Sequence, residues 1–377
     1  MWVLSGALGA AAVLTGALPV PAARDVALTR GGPIMGFLVA ITVLAALADK
    51  AGVFDAAAGV CARAAGGSTP RLFLLIAALG TMTTIGMSLD TTAVLLTPVV
   101  LALAARLGLP PLPFALLAVW SANTASLLLP VSNLTNLLAV QRLGLSTIGF
   151  AARMALPEMA AVAITVAYLG LLYRRDLAGR YDLPQPVVPA DRAVFGVCAA
   201  ACAALAPAVL LGAPPWAAAA LCAVACVAAF AWRQRRDLTW SLLPWRLVIF
   251  TEGLFLLVTA VARHGGTQLL TRLEGHSTLA ATMVAGAAGN AVSNLPAYLA
   301  IEPTVPPGHT TQLLAVLLGT NAGPLILVWG SLATLLWRER CKARSLVVSP
   351  ARFAVIGLGG VPLILLGTWG ALMLTRR

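Results

Sequence analysis

Apolar runs about 20 residues long recur along the whole chain, punctuated by Pro, Gly and Arg, and they leave little choice of fold. They fall at approximately 2–20, 33–50, 147–172, 193–211, 215–232, 247–263 and 353–374. In lipid, only helices and closed barrels satisfy their own backbone. Barrel strands would alternate polar and apolar residues, whereas these runs are continuous and rich in Ala and Leu, so an all-β fold is excluded. With 60% hydrophobic and 10% charged residues among 377, the chain carries too much apolar surface for a soluble domain. It reads as an all-α polytopic membrane protein. Met1 to Val20 lacks a basic leader and reads as the first span, not as a cleaved signal.

Two further segments, about 113–141 and 311–337, are long enough to cross but polar in the middle. The first contains W-S-A-N-T-A-S-L-L-L-P-V-S-N-L-T-N-L-L (Trp120–Leu138), and the second N-A-G-P-L-I-L-V-W-G-S-L-A-T-L-L (Asn321–Leu336). At a single offset of 198 residues, Asn123 meets Asn321, Leu127 meets Leu325 and Leu134 meets Leu332. Both are expected to be broken transmembrane helices, which brings the crossings to nine. Stretches 70–105 and 277–301 carry apolar arms around polar tips, T-T-I-G-M-S-L-D-T-T and A-G-N-A-V-S-N-L-P. Each arm is short for a full span, so both are expected to be re-entrant hairpins. Backbone that turns inside a membrane must be buried in protein or line a wet cavity, which places the tips beside the broken helices.

The net charge of +12, from 25 basic against 13 acidic residues, accompanies no nucleic-acid motif and is explained by cytoplasmic membrane loops. If the loop holding Arg174, Arg175, Arg180 and Arg192 is cytoplasmic, 17 basic residues fall inside and 8 outside. The N-terminus is then cytoplasmic and the C-terminus external, in the cell (inner or plasma) membrane. This orientation opens the two hairpins from opposite faces. The expected organisation is a first inverted repeat over 1–173, a cytoplasmic linker over 174–192 and a second inverted repeat over 193–377. Inverted repeats with discontinuous helices meeting near the midplane are secondary-transporter architecture. Three spans precede the second hairpin and two the first, so the first half is one helix short.

A helix broken in the membrane exposes free N–H groups on one half and free C=O groups on the other. Around these breaks Asn123, Thr124, Ser126, Ser132 and Asn133 in the first copy, with Asn321, Gly323 and Ser331 in the second, supply small donors and acceptors. They are candidate substrate-binding residues; the alternative is helix–helix packing by small residues. Intramembrane carboxylates mark function. Asp90 at the first tip is the candidate for proton or cation coupling, with Asn294 as its counterpart in the second hairpin. Glu252 lies a turn or two inside its span near Arg246, where coupling or an interfacial ion pair would each account for it. Cys198/Cys202 and Cys222/Cys226 are i, i+4 pairs on adjacent helices; a thiolate site for a soft metal or trivalent arsenic is conceivable, and small apolar filler is the plainer role. His264, His276 and His309 show no metal spacing. No nucleophile triad, phosphate loop or redox motif supports an enzyme, and no cofactor or metal is expected.

The segments L-D-T-T-A-V-L-L-T-P (Leu89–Pro98), N-T-A-S-L-L-L-P-V-S-N-L-T-N-L-L (Asn123–Leu138), S-N-L-P-A-Y-L-A (Ser293–Ala300) and G-P-L-I-L-V-W-G-S-L-A-T-L-L-W (Gly323–Trp337) resemble the ion transporter superfamily, and within it the ArsB-type arsenite and antimonite efflux permeases. Together with the span order, the similarity covers nearly the whole chain. The resemblance implies alternating access and export of neutral trihydroxy As(III) or Sb(III) in exchange for protons. Site residues implied by motif are Asp90, Asn123, Thr124, Asn133, Asn294, Asn321 and Ser331. Some relatives carry Asp where Asn123 and Asn321 stand, so this chain has fewer titratable groups. The expected partners are the inorganic solute, protons and the lipid bilayer, with an arsenite-stimulated ATPase subunit and a second copy in a homodimer as candidate protein partners, and no nucleic acid. Alternatives are a sodium-coupled dicarboxylate or other anion symporter, whose Ser-Asn-Thr tips this chain lacks, a sodium/proton antiporter, and a non-transporting receptor or scaffold.

Overall fold

The computed structural model describes residues 2–264 and 277–375; of the sequence candidates, His276 lies outside them. Among the described residues the structure is helical, with a single isolated bridge between Ser68 and Arg180. Among the described residues, eight helices are long and apolar enough to cross a membrane.

Helix α1 (Trp2–Leu14) has 13 residues, about 20 Å at 1.5 Å per residue, so it stops short of the expected 2–20 span. The chain turns at Gly16, where φ is +78°, and Pro19 caps the start of the next helix. That helix, α2 (Val20–Arg24), continues through a π-helical stretch at Asp25–Gly31 into α3 (Gly32–Lys50). A short helix α4 (Val53–Ala64), unanticipated from sequence, packs back on α3 and α5.

The first hairpin pairs α5 (Thr69–Gly86) with α6 (Leu89–Thr91), a π-helical turn at Thr92–Leu96, and α7 (Thr97–Arg106). Its arms, Thr69–Gly86 and Leu89–Arg106, have 18 residues each, so the expectation of short arms is not met here. Pro98 lies mid-arm, directly after the π-helical turn at Thr92–Leu96, and the helical path continues through it. The first broken helix is α8 (Pro111–Thr124), a non-helical stretch 125–133 holding a single 3-10 turn at Pro130–Ser132, and α9 (Leu134–Leu143). Helix α10 (Thr147–Leu172) closes this half.

After the linker come α11 (Arg192–Leu210), α12 (Pro215–Arg233) and α13 (Trp245–Arg263). Asp191 caps α11, accepting from Ala193 and Val194 N–H and from Arg233 Nε at 2.5 Å; the bond from Arg233 holds its carboxyl below the usual range. The second hairpin is shorter, α14 (Thr278–Val292) and α15 (Asn294–Ile301). Then come α16 (Thr310–Ala322), a second non-helical stretch 323–331, α17 (Leu332–Ala343) and α18 (Pro350–Leu374).

The order hairpin, broken helix, long helix thus occurs twice. The flanking helices repeat the relation: α1 packs on α13, and α3 packs on α12, the reciprocal pairing that a pseudo-two-fold axis requires. Helix α11, against α12 and α3, is the member without a counterpart, in line with the expected asymmetry. In the second half α14 and α16 approach closely because their contact face is small. A Cβ on Gly319 would lie 2.7 Å from Ala285 Cβ and 2.9 Å from Gly286 N. Gly319→Val should therefore lower stability by about 1–3 kcal/mol or more through overpacking, read as a lower unfolding midpoint in detergent. An unchanged midpoint would refute close packing as the reason for glycine there.

Candidate functional site between the hairpin tips and the broken helices

Each break leaves the second half-helix to start inside the protein, and a side chain caps that start. Asn133 caps α9 by accepting from Thr135 N–H at 3.3 Å, and Ser331 caps α17 by accepting from Thr334 N–H at 3.1 Å. The hairpin tips end in the same region. Ser88 begins α6 and accepts from Thr91 N–H at 3.2 Å, while Ser293 precedes α15. The first turns of α6, α9, α15 and α17 line one cavity of about 30 Å³, bounded by Asp90, Asn133, Leu134, Thr251, Ser293 and Asn294 among others. That volume holds a water or two. Helix starts bring partial positive charge, and Asp90 brings the one formal charge in the lining.

A larger cavity of about 700 Å³ adjoins it, walled by α3, the first tip, Ser241–Leu247, Leu336 and Arg340. Leu89, Asp90, Leu134 and Leu247 line both, so Asp90 stands where the vestibule meets the inner cavity. Aligning the tips by their serines places Asp90 opposite Leu295 and Asn294 opposite Leu89, one residue from the correspondence expected between Asp90 and Asn294.

Of the candidates, Asp90, Asn133 and Asn294 come together at the cavity, and the rest hold its frame. Asn123 donates to Val119 O at 2.9 Å, Thr124 to Trp120 O at 2.8 Å and Ser126 to Asn123 O at 2.9 Å. Ser132 ties the first break to the hairpin through Ile85 O at 3.0 Å. Asn321 is fully buried between Asn136 Oδ1 and the Thr135 hydroxyl, at 2.8 and 2.7 Å. Gly323 accepts from Asn290 at 2.8 Å, and Ser331 is consumed by its cap. Glu252 does not line the cavity; it faces Gly31, and no ion pair with Arg246 forms, because Arg246 stacks over Trp2 and Trp245. The Cys198 and Cys226 thiols touch, with Cys202 and Cys222 nearby, yet among the described residues no three ligating groups form a metal site. His264 and His309 bond to local carbonyls, of Ala260 and Pro307, among the described residues.

Four contributors were not among the sequence candidates, the first of them Ser293 at the second tip, which lines the cavity. Thr251 lines it too. Asn290 on α14 binds the second break through Ile326 and Leu327 N–H, both at 3.0 Å. Glu158 on α10 binds the first through Leu127 N–H at 2.8 Å. A lone Glu in the middle of a 26-residue apolar helix is itself a sequence signal.

Ser293 has φ 82° and ψ 153°, a region open essentially to glycine alone, and strain of about 1–3 kcal/mol is characteristic of functional tips. Ser293→Gly should raise the unfolding midpoint and Ser293→Val lower it; equal midpoints would mean that the tip is relaxed.

The citrate transporter model of the CitMHS family matches residues 1–320. The chain is 31% identical to the arsenical pump membrane protein of Yersinia enterocolitica over 341 residues, covering 82% of this chain and 79% of that one. It is 30% identical to the arsenical pump membrane protein of Escherichia coli over 344 residues, with the same coverage of 82% and 79%. Its fold is similar to that of the Alcanivorax borkumensis YdaH transporter, with TM-score 0.52, 16% identity, and coverage of 95% of this chain and 89% of that one. The chain is therefore a multi-pass membrane transporter and belongs to the citrate transporter (CitMHS) family.

Proposed function

We propose that the protein exports neutral trihydroxy arsenite or antimonite in exchange for protons, with the cargo entering from the vestibule at Asp90 and the inner cavity, too small for it in this structure, widening between the tips to hold it. The observation that carries this reading is a small, uncharged hydrogen-bonding lining with a single carboxyl, Asp90, at its mouth. A trihydroxide needs acceptors for its O–H groups and donors for its lone pairs. Asp90 and the side-chain carbonyl oxygens of Asn133 and Asn294 supply acceptors. The Asn294 NH₂, the second hydrogen of the Asn133 amide, whose first goes to Ser126, and the first-turn N–H groups supply donors. The Ser293 hydroxyl, which in this structure donates to Asn294 Oδ1 at 3.4 Å, can turn to the cargo. The relatives' name, arsenical pump membrane protein, supports the same cargo.

Exchange follows from the chemistry of Asp90. As a carboxylate it accepts cargo hydroxyls; once protonated it offers one fewer acceptor and a competing donor, so proton and cargo exclude each other. Each can then drive the other out, which is reciprocal coupling between two ligands. A citrate-like trianion suits the lining poorly. It would place negative charge beside Asp90 with no Lys or Arg in the inner cavity, since Arg246 and Arg340 stand on the vestibule wall.

We read 1–173 and 193–377 as the two repeats, joined by a cytoplasmic 174–192 linker in the cell membrane. With Arg246, Arg340 and the Ser241–Leu247 loop on the cytoplasmic side, the vestibule opens inward, and the structure is in its cargo-loading form. The proposed site residues are Asp90, Asn133, Ser293 and Asn294, with Thr251 on the wall.

Cells lacking their own arsenite efflux should accumulate several-fold less arsenite when they express this protein; unchanged accumulation at good expression would sink the reading. In everted vesicles Asp90→Asn should abolish the response of arsenite flux to a pH gradient while the protein folds normally, and full retention of that response would move the coupling role elsewhere.

A further inference from the structure

The two breaks are held by the same device with different chemistry. In the second, Asn290 Oδ1 accepts from two consecutive backbone N–H groups, those of Ile326 and Leu327, while its Nδ2 donates to Gly286 O and Gly323 O at 2.9 and 2.8 Å. Every polar atom of that amide is used, and it carries no charge at any pH. In the first break the clamp is Glu158, whose Oε2 accepts from Leu127 N–H at 2.8 Å. Its Oε1 is buried and has no protein partner among the described residues, and the side chain is 3% exposed. If holding the break were the whole task, an amide would do it without placing a carboxyl at mid-membrane depth.

No other charge explains Glu158. Helices α8, α18, α5 and α11 pack against α10. Helix α8 carries no charged residue. Arg71 near the start of α5, Arg192 at the start of α11 and Arg352 near the start of α18 are all exposed. Of these, Arg352 reaches Tyr173, just past the C-terminal end of α10. Arg153 on α10 itself is exposed and donates to Gly149 O. On α11 the Cys198 thiol touches that of Cys226 on α12, and Cys202 lies near both and near Cys222.

The clamp connects to the cavity. Leu127 follows Ser126, whose Oγ accepts from Asn133 Nδ2 at 3.3 Å, and Asn136 Nδ2 donates to Ser126 O and Leu129 O at 2.7 and 2.9 Å. Asn133 lines the cargo cavity and caps α9. The stretch gripped at one end by Glu158 therefore presents a cargo-binding amide at the other.

We propose that Glu158 is a second proton-binding carboxyl of the transporter, a positioning residue that grips the 125–133 stretch when ionised and loosens it when protonated. The ionised form makes a charge-assisted bond to Leu127 N–H, and protonation at the free Oε1 leaves an ordinary one. The proton enters from water and returns to it, and no other bond changes. The proposal deepens the proton-exchange reading above and rests on it for its role in transport, though not for the titration itself.

Glu158→Gln copies the neutral clamp of the second break. In proteoliposomes, wild-type arsenite flux with an imposed pH gradient should exceed flux without one by about tenfold, and in Glu158→Gln that ratio should fall to about one. A ratio matching wild type would overturn the proposal. If Glu158→Gln does not fold, Glu158→Asp replaces it and should shift the pH profile of flux; an unshifted profile would count against Glu158. Infrared difference spectra of the purified protein between acidic and alkaline pH separate this proposal from the arsenite reading. A titrating carboxyl band present in wild type and in Asp90→Asn, but missing in Glu158→Gln, supports proton binding at Glu158 even if arsenite is not carried. The same band persisting in Glu158→Gln refutes it.

Discussion

The two halves of this protein meet through a buried amide node. Asn321, at the end of α16, donates to Asn136 Oδ1 and accepts from Thr135, both on α9, and all three side chains are fully buried. Trp337 on α17 adds a second tie by donating to Ala115 O on α8 at 2.8 Å. In hydrocarbon an unpaired amide is expensive, so these bonds fix the depth and register at which the broken helices cross. The position of every other site element follows from that crossing. With the breaks side by side, the starts of α9 and α17 lie together, and the tips can close over them from two sides. Small residues at Gly286, Gly319 and Gly323 then let α14 approach closely enough for Asn290 to reach the second break.

Much of this was legible in the sequence because lipid leaves few alternatives. An apolar run of span length must be helical, and a polar, Gly- or Pro-bearing interruption within one must be sheltered in protein. The spans from α3 onward, the two breaks and the two tips follow from those rules. The first span does not, because run length alone ignores how Gly16, Pro19 and Pro21 divide it. The arms of the first hairpin are longer than expected because the helical path runs on through the π-helical turn at Thr92–Leu96 and Pro98.

The site was legible in part. Asp90, Asn133 and Asn294 sit at helix starts, where position along the chain predicts direction. Asn123 and Asn321 lie at helix ends, where the direction of a side chain depends on tertiary contacts that no offset between repeats reveals; both turn into the frame. Glu158 follows Pro157 inside a helix that continues without a polar break, so only its charge marks it, and an isolated mid-span carboxyl is as conspicuous as any break. The frame and the proposed chemistry are thus distributed differently: symmetry supplies two alike breaks, and in the proposed mechanism function enters where they differ, Asp90 opposite a leucine and a carboxyl clamp opposite an amide.

The most direct test of the account is the position of the cargo. Arsenic can be located by its anomalous scattering in crystals of the protein soaked with arsenite. The account predicts a peak between the two tips, bounded by Asp90, Asn133, Ser293 and Asn294. A peak at the touching thiols of Cys198 and Cys226 with none between the tips would contradict it.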